Sequence, residues 1–313
     1  MRILVLMSLI CSAGCALPTT TTETSADSLG AGQSPEAGAL GKSDAGDEQS
    51  PTPWASVARD IECEGHRVVG AALDELYTLS DPNTVTTMTE AAYRIDRISR
   101  LFEACADPRG LFPTVYRVIT TDAVMAVRAG ALENTHWAEA FIVDFAQTYL
   151  HNLQAELEGE RPHWAWQHYY QLAANPEVSV TRTAMVGVIA HLVHDLPHTL
   201  VAIDTQEEHR EDYFLFGELL FDATDSIIEE LDLHYGADAE DLLHGFFLGR
   251  WIDGSLGDGA TVSFSFQAVR TKAWNNRWYL QRSWMAWVAH SEIYTSYWTM
   301  TGLLGTLDGA GTI

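Results

Sequence analysis

Between about residue 55 and residue 300 the apolar positions recur every three or four residues, the spacing of one helix face, and polar breakers punctuate them. Ala55 to Leu79 reads as the first helical stretch, closed by Ser80-Asp81-Pro82-Asn83. Thr87 to Ala106 follows, with Arg94, Arg97 and Arg100 on one side and Tyr93, Ile98, Leu101 and Phe102 on the other, and Asp107-Pro108-Arg109-Gly110 ends it. Pro113 suits the first turn of a helix that runs to about Ala129, where Gly130 supplies the stop. His136 to Leu157 carries Phe141, Phe145, Tyr149 and Leu153 four apart and breaks at Gly159-Glu160-Arg161-Pro162. A short aromatic helix, His163 to Ala174, ends at Asn175-Pro176. Val178 to Ile203, Glu207 to Leu233 and Ala239 to Trp251 come next, then a Gly-rich turn from Asp253 to Gly259. Thr261 to about Met300, loaded with tryptophan, reads as one or two further helices.

Strict alternation is confined to Val262-Ser263-Phe264-Ser265-Phe266, which is short and runs into a helical pattern. The chain therefore predicts an all-α fold: one multi-helix bundle over residues 54–313, with no internal repeat of 20–50 residues. About 260 residues can bury a sizeable core without metal or disulfide staples.

The first 53 residues follow another pattern. Met1-Arg2, an apolar run from Ile3 to Ile10 and small residues to Gly14 describe an export signal over 1–14, too short to span a bilayer. Ser12-Ala13-Gly14-Cys15 resembles a bacterial lipobox, with Ser12 where Leu is usual, and marks Cys15 as a lipid anchor. The alternative is ordinary secretion. Residues 16–53 are Thr, Ser, Gly, Ala, Pro and acid, a composition that stays disordered and makes a tether. The expected location is the cell envelope, with the membrane as partner through Cys15. No other stretch reads as a membrane span. Cys63 and Cys105 remain in the domain, where one disulfide or two buried thiols are the choices.

Charge narrows the partners. The chain of 313 residues has a net charge of −25, and residues 54–313 hold 37 acidic and 16 basic side chains with Lys272 as their single lysine. Such a surface repels nucleic acid at long range. The small-molecule or protein partner is not specified by charge.

Chemistry concentrates in Ala190-His191-Leu192-Val193-His194-Asp195-Leu196-Pro197-His198. On an α-helix His191, His194, Asp195 and His198 share an arc of roughly 100°. His191 and Asp195, four apart, meet over one turn and are ordinary ligands for a divalent metal such as zinc. The missing ligands have to come from other helices. Asp144 is the leading one, with His136, His151, His209 and Asp212 behind it. His194 and His198 are then the catalytic candidates, and the reaction is metal-assisted hydrolysis, a phosphoester being the natural substrate. Two other readings stand beside this. In the first, Pro197 restarts the helix, Asp195 caps it and His191 satisfies a buried carbonyl. In the second, Asp195 orients His191 for metal-free acid–base work. The rival class is a non-enzymatic envelope protein that binds a ligand or partner through its aromatic surface.

His163 to Tyr170 could line a pocket but suits aromatic packing better, as do Trp274 and Trp278. Asp222, Asp225, Glu229 and Glu230 read as a solvated face. The sequence holds no P-loop, dinucleotide fingerprint, G-x-S-x-G or H-E-x-x-H.

Four local patterns resemble, in order, those of the bacterial DUF 5995 family, whose function is unknown. They are Phe112-Pro113-Thr114-Val115-Tyr116, Phe145-Ala146-Gln147-Thr148-Tyr149, Ala190-His191 with Asp195-Leu196-Pro197, and Ala273-Trp274. The family often has Asn where this chain has Ile189 and Val193. The resemblance implies a helical fold and directs attention to His191 and Asp195. Over about ten residues the Ala-His-x-x-x-Asp pattern is also similar to zinc ligands of the helical phospholipase C and S1/P1 nuclease group, which is an analogy of chemistry alone.

Overall fold

A computed structural model describes residues 61–248 and 266–313. The export signal, Cys15, the tether and the Asp253–Gly259 turn lie outside the described residues. The described chain is helical apart from one short hairpin.

That hairpin corrects the first predicted element. Glu62–Glu64 (β1) pairs antiparallel with Arg67–Val69 (β2), and the helix begins only at Ala71. Gly65 and Gly70 both take positive φ, near +61° and +62°, a region closed to a continuing helix. Cys63 in β1 is bridged to Cys105, with Cα atoms 5.6 Å apart, and this ties the hairpin to the bundle.

Ala71–Leu79 (α1), Met88–Glu103 (α2), Leu111–Arg128 (α3), Thr135–Glu158 (α4) and Trp164–Ala173 (α5) follow the predicted pattern closely. Thr87 caps α2 by accepting from the Glu90 amide, and Gly159 in left-handed conformation ends α4. Asp212, a metal candidate from its spacing, caps α4 instead: its carboxylate accepts from the Glu133 and Asn134 amides at 2.9 and 2.6 Å. The predicted Glu207–Leu233 helix is two, Arg210–Asp222 (α8) and Thr224–Tyr235 (α9), and Glu240–Leu248 (α10) succeeds them. The C-terminal stretch is also two helices, Phe266–Leu280 (α11) and Ala286–Gly309 (α12).

The central rod is Val180–Ile189 (α6), a π-helical segment Ala190–Asp195, and Leu196–Ala202 (α7). Pro197 has no N–H and crowds the Val193 carbonyl. The chain absorbs this by widening one turn, so that the Leu196 amide bonds back to the His191 carbonyl. The helix therefore does not restart here, and Asp195 is not an N-cap: its backbone is helical and its side chain caps nothing. Val180–Ala202 is long and apolar enough to cross a membrane, contrary to expectation, but most of it is buried inside the bundle, as a core helix should be. Helices α3, α4, α5, α11 and α12 pack around it, so any side chain on its π turn is enclosed from several directions.

Candidate functional site

Asp195 is fully buried and accepts three hydrogen bonds. His191 Nδ1 donates to Oδ2 at 3.0 Å, Trp166 Nε1 to the same oxygen at 2.8 Å, and His194 Nδ1 to Oδ1 at 2.7 Å. Burial by itself would raise this carboxyl, yet the hydrogen bonds from His191 and His194 hold it well below the ordinary carboxylate range. Burial pushes the His191 imidazole down, against the pull of Asp195. An ionised carboxylate thus sits in the core among N–H donors, with no arginine or lysine bonded to it among the described residues.

The π turn decides where the two rings go. His191 is turned into the core, its ring stacked on Phe145 with centres 3.5 Å apart and edged by Tyr116 at 4.6 Å and Phe112 at 5.1 Å. Its Nε2 is buried and has no hydrogen-bond partner among the described residues. His191 lines a cavity of about 70 Å³ whose other walls include Val115, Phe141 and Leu192. Burial raises the Tyr116 phenol, so it stays protonated beside the ring. One cation reaches this cavity. Arg270 is buried, its Nη2 donates to the Tyr213 carbonyl, its Nε has no partner, and no carboxylate among the described residues faces it.

His194 lines a different space, a groove of about 410 Å³ shared with His163, Trp164, His198, His290, Ser291, Ile293 and Tyr294. Its ring stacks on His163 at 3.6 Å and lies 4.7 Å from that of His198. His198 Nδ1 donates to the His194 carbonyl at 2.6 Å. His163 is pushed down to about 4, first by burial and then by its histidine neighbours, and burial also lowers His198. Asp195 therefore lies between an apolar cavity and a histidine-lined groove.

The predicted metal residues do not gather into one set. Both Asp195 oxygens are engaged by N–H donors, and the Asp144 carboxyl, raised by burial, pairs with Thr199. His136 and His151 are exposed, and His209 stacks on Trp137. His191 does not satisfy a carbonyl either, since its one bonded nitrogen goes to Asp195. Among the described residues, the three or more ligand groups lying within 4.8 Å of one another are Glu103, Glu230 and His234. Arg117 already occupies that corner, bonding Glu103 at 3.1 Å and Glu230 at 2.7 Å.

Several site residues escaped the sequence reading. Trp166 lay in a stretch assigned to packing, and its role depends on an indole N–H that finds a carboxylate 29 positions away. Arg270 and His290 had no local pattern.

Three of the recurring sequence patterns converge on His191: Phe112, Tyr116 and Phe145 touch its ring, and Tyr149 packs 5.0 Å from Phe112. Trp274, from the fourth, packs instead between Tyr213 and Arg277. The chain matches no curated protein and no solved structure. Residues 88–299, the greater part of the bundle and all of this site, match the family of unknown function DUF5995, and the chain belongs to that family.

Proposed function

We propose that the cavity is the working site of a hydrolase for an anionic ester, a phosphoester in the first instance, held in the cell envelope by a lipid on Cys15. One observation carries the reading. His191 is a neutral imidazole whose Nδ1–H is fixed on a buried carboxylate and whose Nε2 is unpaired among the described residues, beside a cavity also lined by Arg270, which no carboxylate among the described residues faces.

Each group has a task. Nε2 takes the proton of a water that attacks the ester phosphorus, Asp195 stabilises the imidazolium that forms, and the imidazolium returns the proton to the departing alkoxide or phenoxide as its P–O bond breaks. Arg270 meets the charge of the ester, an interaction worth most where water is excluded. Phe112, Phe141, Phe145 and Leu192 accept apolar substituents. The volume is about half of the roughly 150 Å³ that admits benzene, so it suits the reacting group rather than a whole substrate. Metal-assisted hydrolysis through His191, Asp195 and Asp144 is the less favoured form of this reading, because two of the three carboxylate and imidazole groups are already committed to other partners.

The test is turnover of p-nitrophenyl phosphate and bis(p-nitrophenyl) phosphate by the full chain beside His191→Gln. The expected loss in the variant is about 10²–10⁴-fold with the fold retained. Saturable binding of the esters without turnover would favour a ligand-binding envelope protein. The absence of both turnover and binding would overturn the reading.

A further inference from the structure

The groove on the other side of Asp195 has a chemistry of its own, independent of the cavity. His194 and His198 are four residues apart on the central rod, the spacing at which two imidazoles on one helix face share an ion. Both rings use Nδ1 as donor, His194 to the Asp195 carboxylate and His198 to a backbone carbonyl. That fixes the tautomer, leaves an Nε2 lone pair on each, and is the outer-shell arrangement that orients metal-binding histidines. A third ring, His290 of α12, lies with its centre 5.8 Å from that of His198 and nearly parallel to it.

We propose that His194, His198 and His290 bind one divalent transition ion of the zinc, copper or nickel type, with a solvent molecule completing its coordination. Rings bound through nitrogen at about 2 Å from a tetrahedral ion have centres roughly 5 Å apart. The observed 4.7 and 5.8 Å bracket that value. Closure needs an adjustment, because the nitrogens do not yet lie within 4.8 Å of one another. His290 is exposed and free to turn, whereas His194 is held by Asp195 and by the stacked ring of His163. No carboxylate lines the groove. A set of neutral nitrogens selects a borderline transition ion over calcium or magnesium, which take oxygen ligands.

The acidic corner of Glu103, Glu230 and His234 is the rival site. Its ligand atoms are closer together, but the Arg117 guanidinium stands between the carboxylates and opposes a second cation.

The experiment is titration of the full chain, purified without a histidine tag and stripped with chelator, by Co²⁺ and Cu²⁺. Visible absorption and nitrogen hyperfine structure in the electron paramagnetic resonance spectrum are the readouts. One ion per chain with nitrogen ligation is expected. His290→Ala, at an exposed position, should weaken binding at least tenfold with an unchanged circular dichroism spectrum, and His198→Ala should abolish it. Glu230→Gln and His191→Gln should leave it intact, so that failure of the ester hydrolysis and failure of the metal site remain separate results. Absence of binding at micromolar ion, binding indifferent to His290→Ala, or binding lost in Glu230→Gln would overturn the proposal.

Discussion

Glu103 and Asp195 are both buried helical carboxylates with histidine in reach, but they are stabilised in opposite ways. Glu103 is met by Arg117, by the hydroxyls of Ser99 and Thr114, and by His234 at 3.5 Å. Asp195 is met by three N–H donors, from His191, His194 and Trp166, and by no arginine or lysine among the described residues. An arginine consumes the carboxylate's charge and makes a structural knot. An imidazole bonded through Nδ1 keeps a second nitrogen, whose basicity the carboxylate supports. Phe112, Tyr116 and Phe145 pack around the His191 ring, while Thr114 of the same helix bonds Glu103.

The largest effect should come from breaking the arginine side. Arg117→Met leaves Glu103 buried without its cation and should cost about 3–5 kcal/mol in urea denaturation. Adding Glu103→Gln should restore much of that. Recovery of less than a fifth would mean that Arg117 acts mainly through packing, and the contrast would weaken.

A smaller loss is expected on the other side. Asp195→Asn offers one acceptor oxygen to three donors and turns an NH₂ group toward an imidazole N–H. About 1–3 kcal/mol should be lost. Nitrogen NMR should show the His191 and His194 rings no longer held with the proton on Nδ1. Unchanged tautomers would remove the orienting role from Asp195.

The smallest and most graded effect concerns pH. His163, His191 and His198 are all lowered in the fold, mainly by burial, so the unfolded chain binds more protons than the native one below about pH 6.5. Stability should therefore be fully present above that value and decline as pH falls toward 4, the range set by His163. Asp195, depressed in the fold, adds a further decline below about pH 3.9. His163→Phe keeps a stacked ring and should flatten the upper part of the curve. An identical curve would place the pH dependence elsewhere.

Much of the bundle was legible because helical periodicity and its breakers are local: Thr87, Pro113, Gly130 and Gly159 act within a turn of themselves. The hairpin at Glu62–Val69 was not, since Val68 and Val69 fit a helical pattern as well as a strand, and two glycines with positive φ made the decision. The His/Asp stripe was visible as a stripe, and its spacing implied that four side chains would share one face. The π turn forced by Pro197 divided them, sending His191 to the core and His194 and His198 to the groove.

By itself, then, the sequence determined an acidic, all-helical domain of the DUF5995 family and the stretch, Ala190 to His198, where histidines and a carboxylate cluster. Those depend on local propensity and on side-chain type. Only the tertiary structure decided that Asp195 accepts from three N–H donors, that Trp166, Arg270 and His290 belong to the surroundings, and that the stripe faces two spaces. These depend on which distant side chains meet, and the packing of five helices around one widened turn sets that, not the order of residues along it.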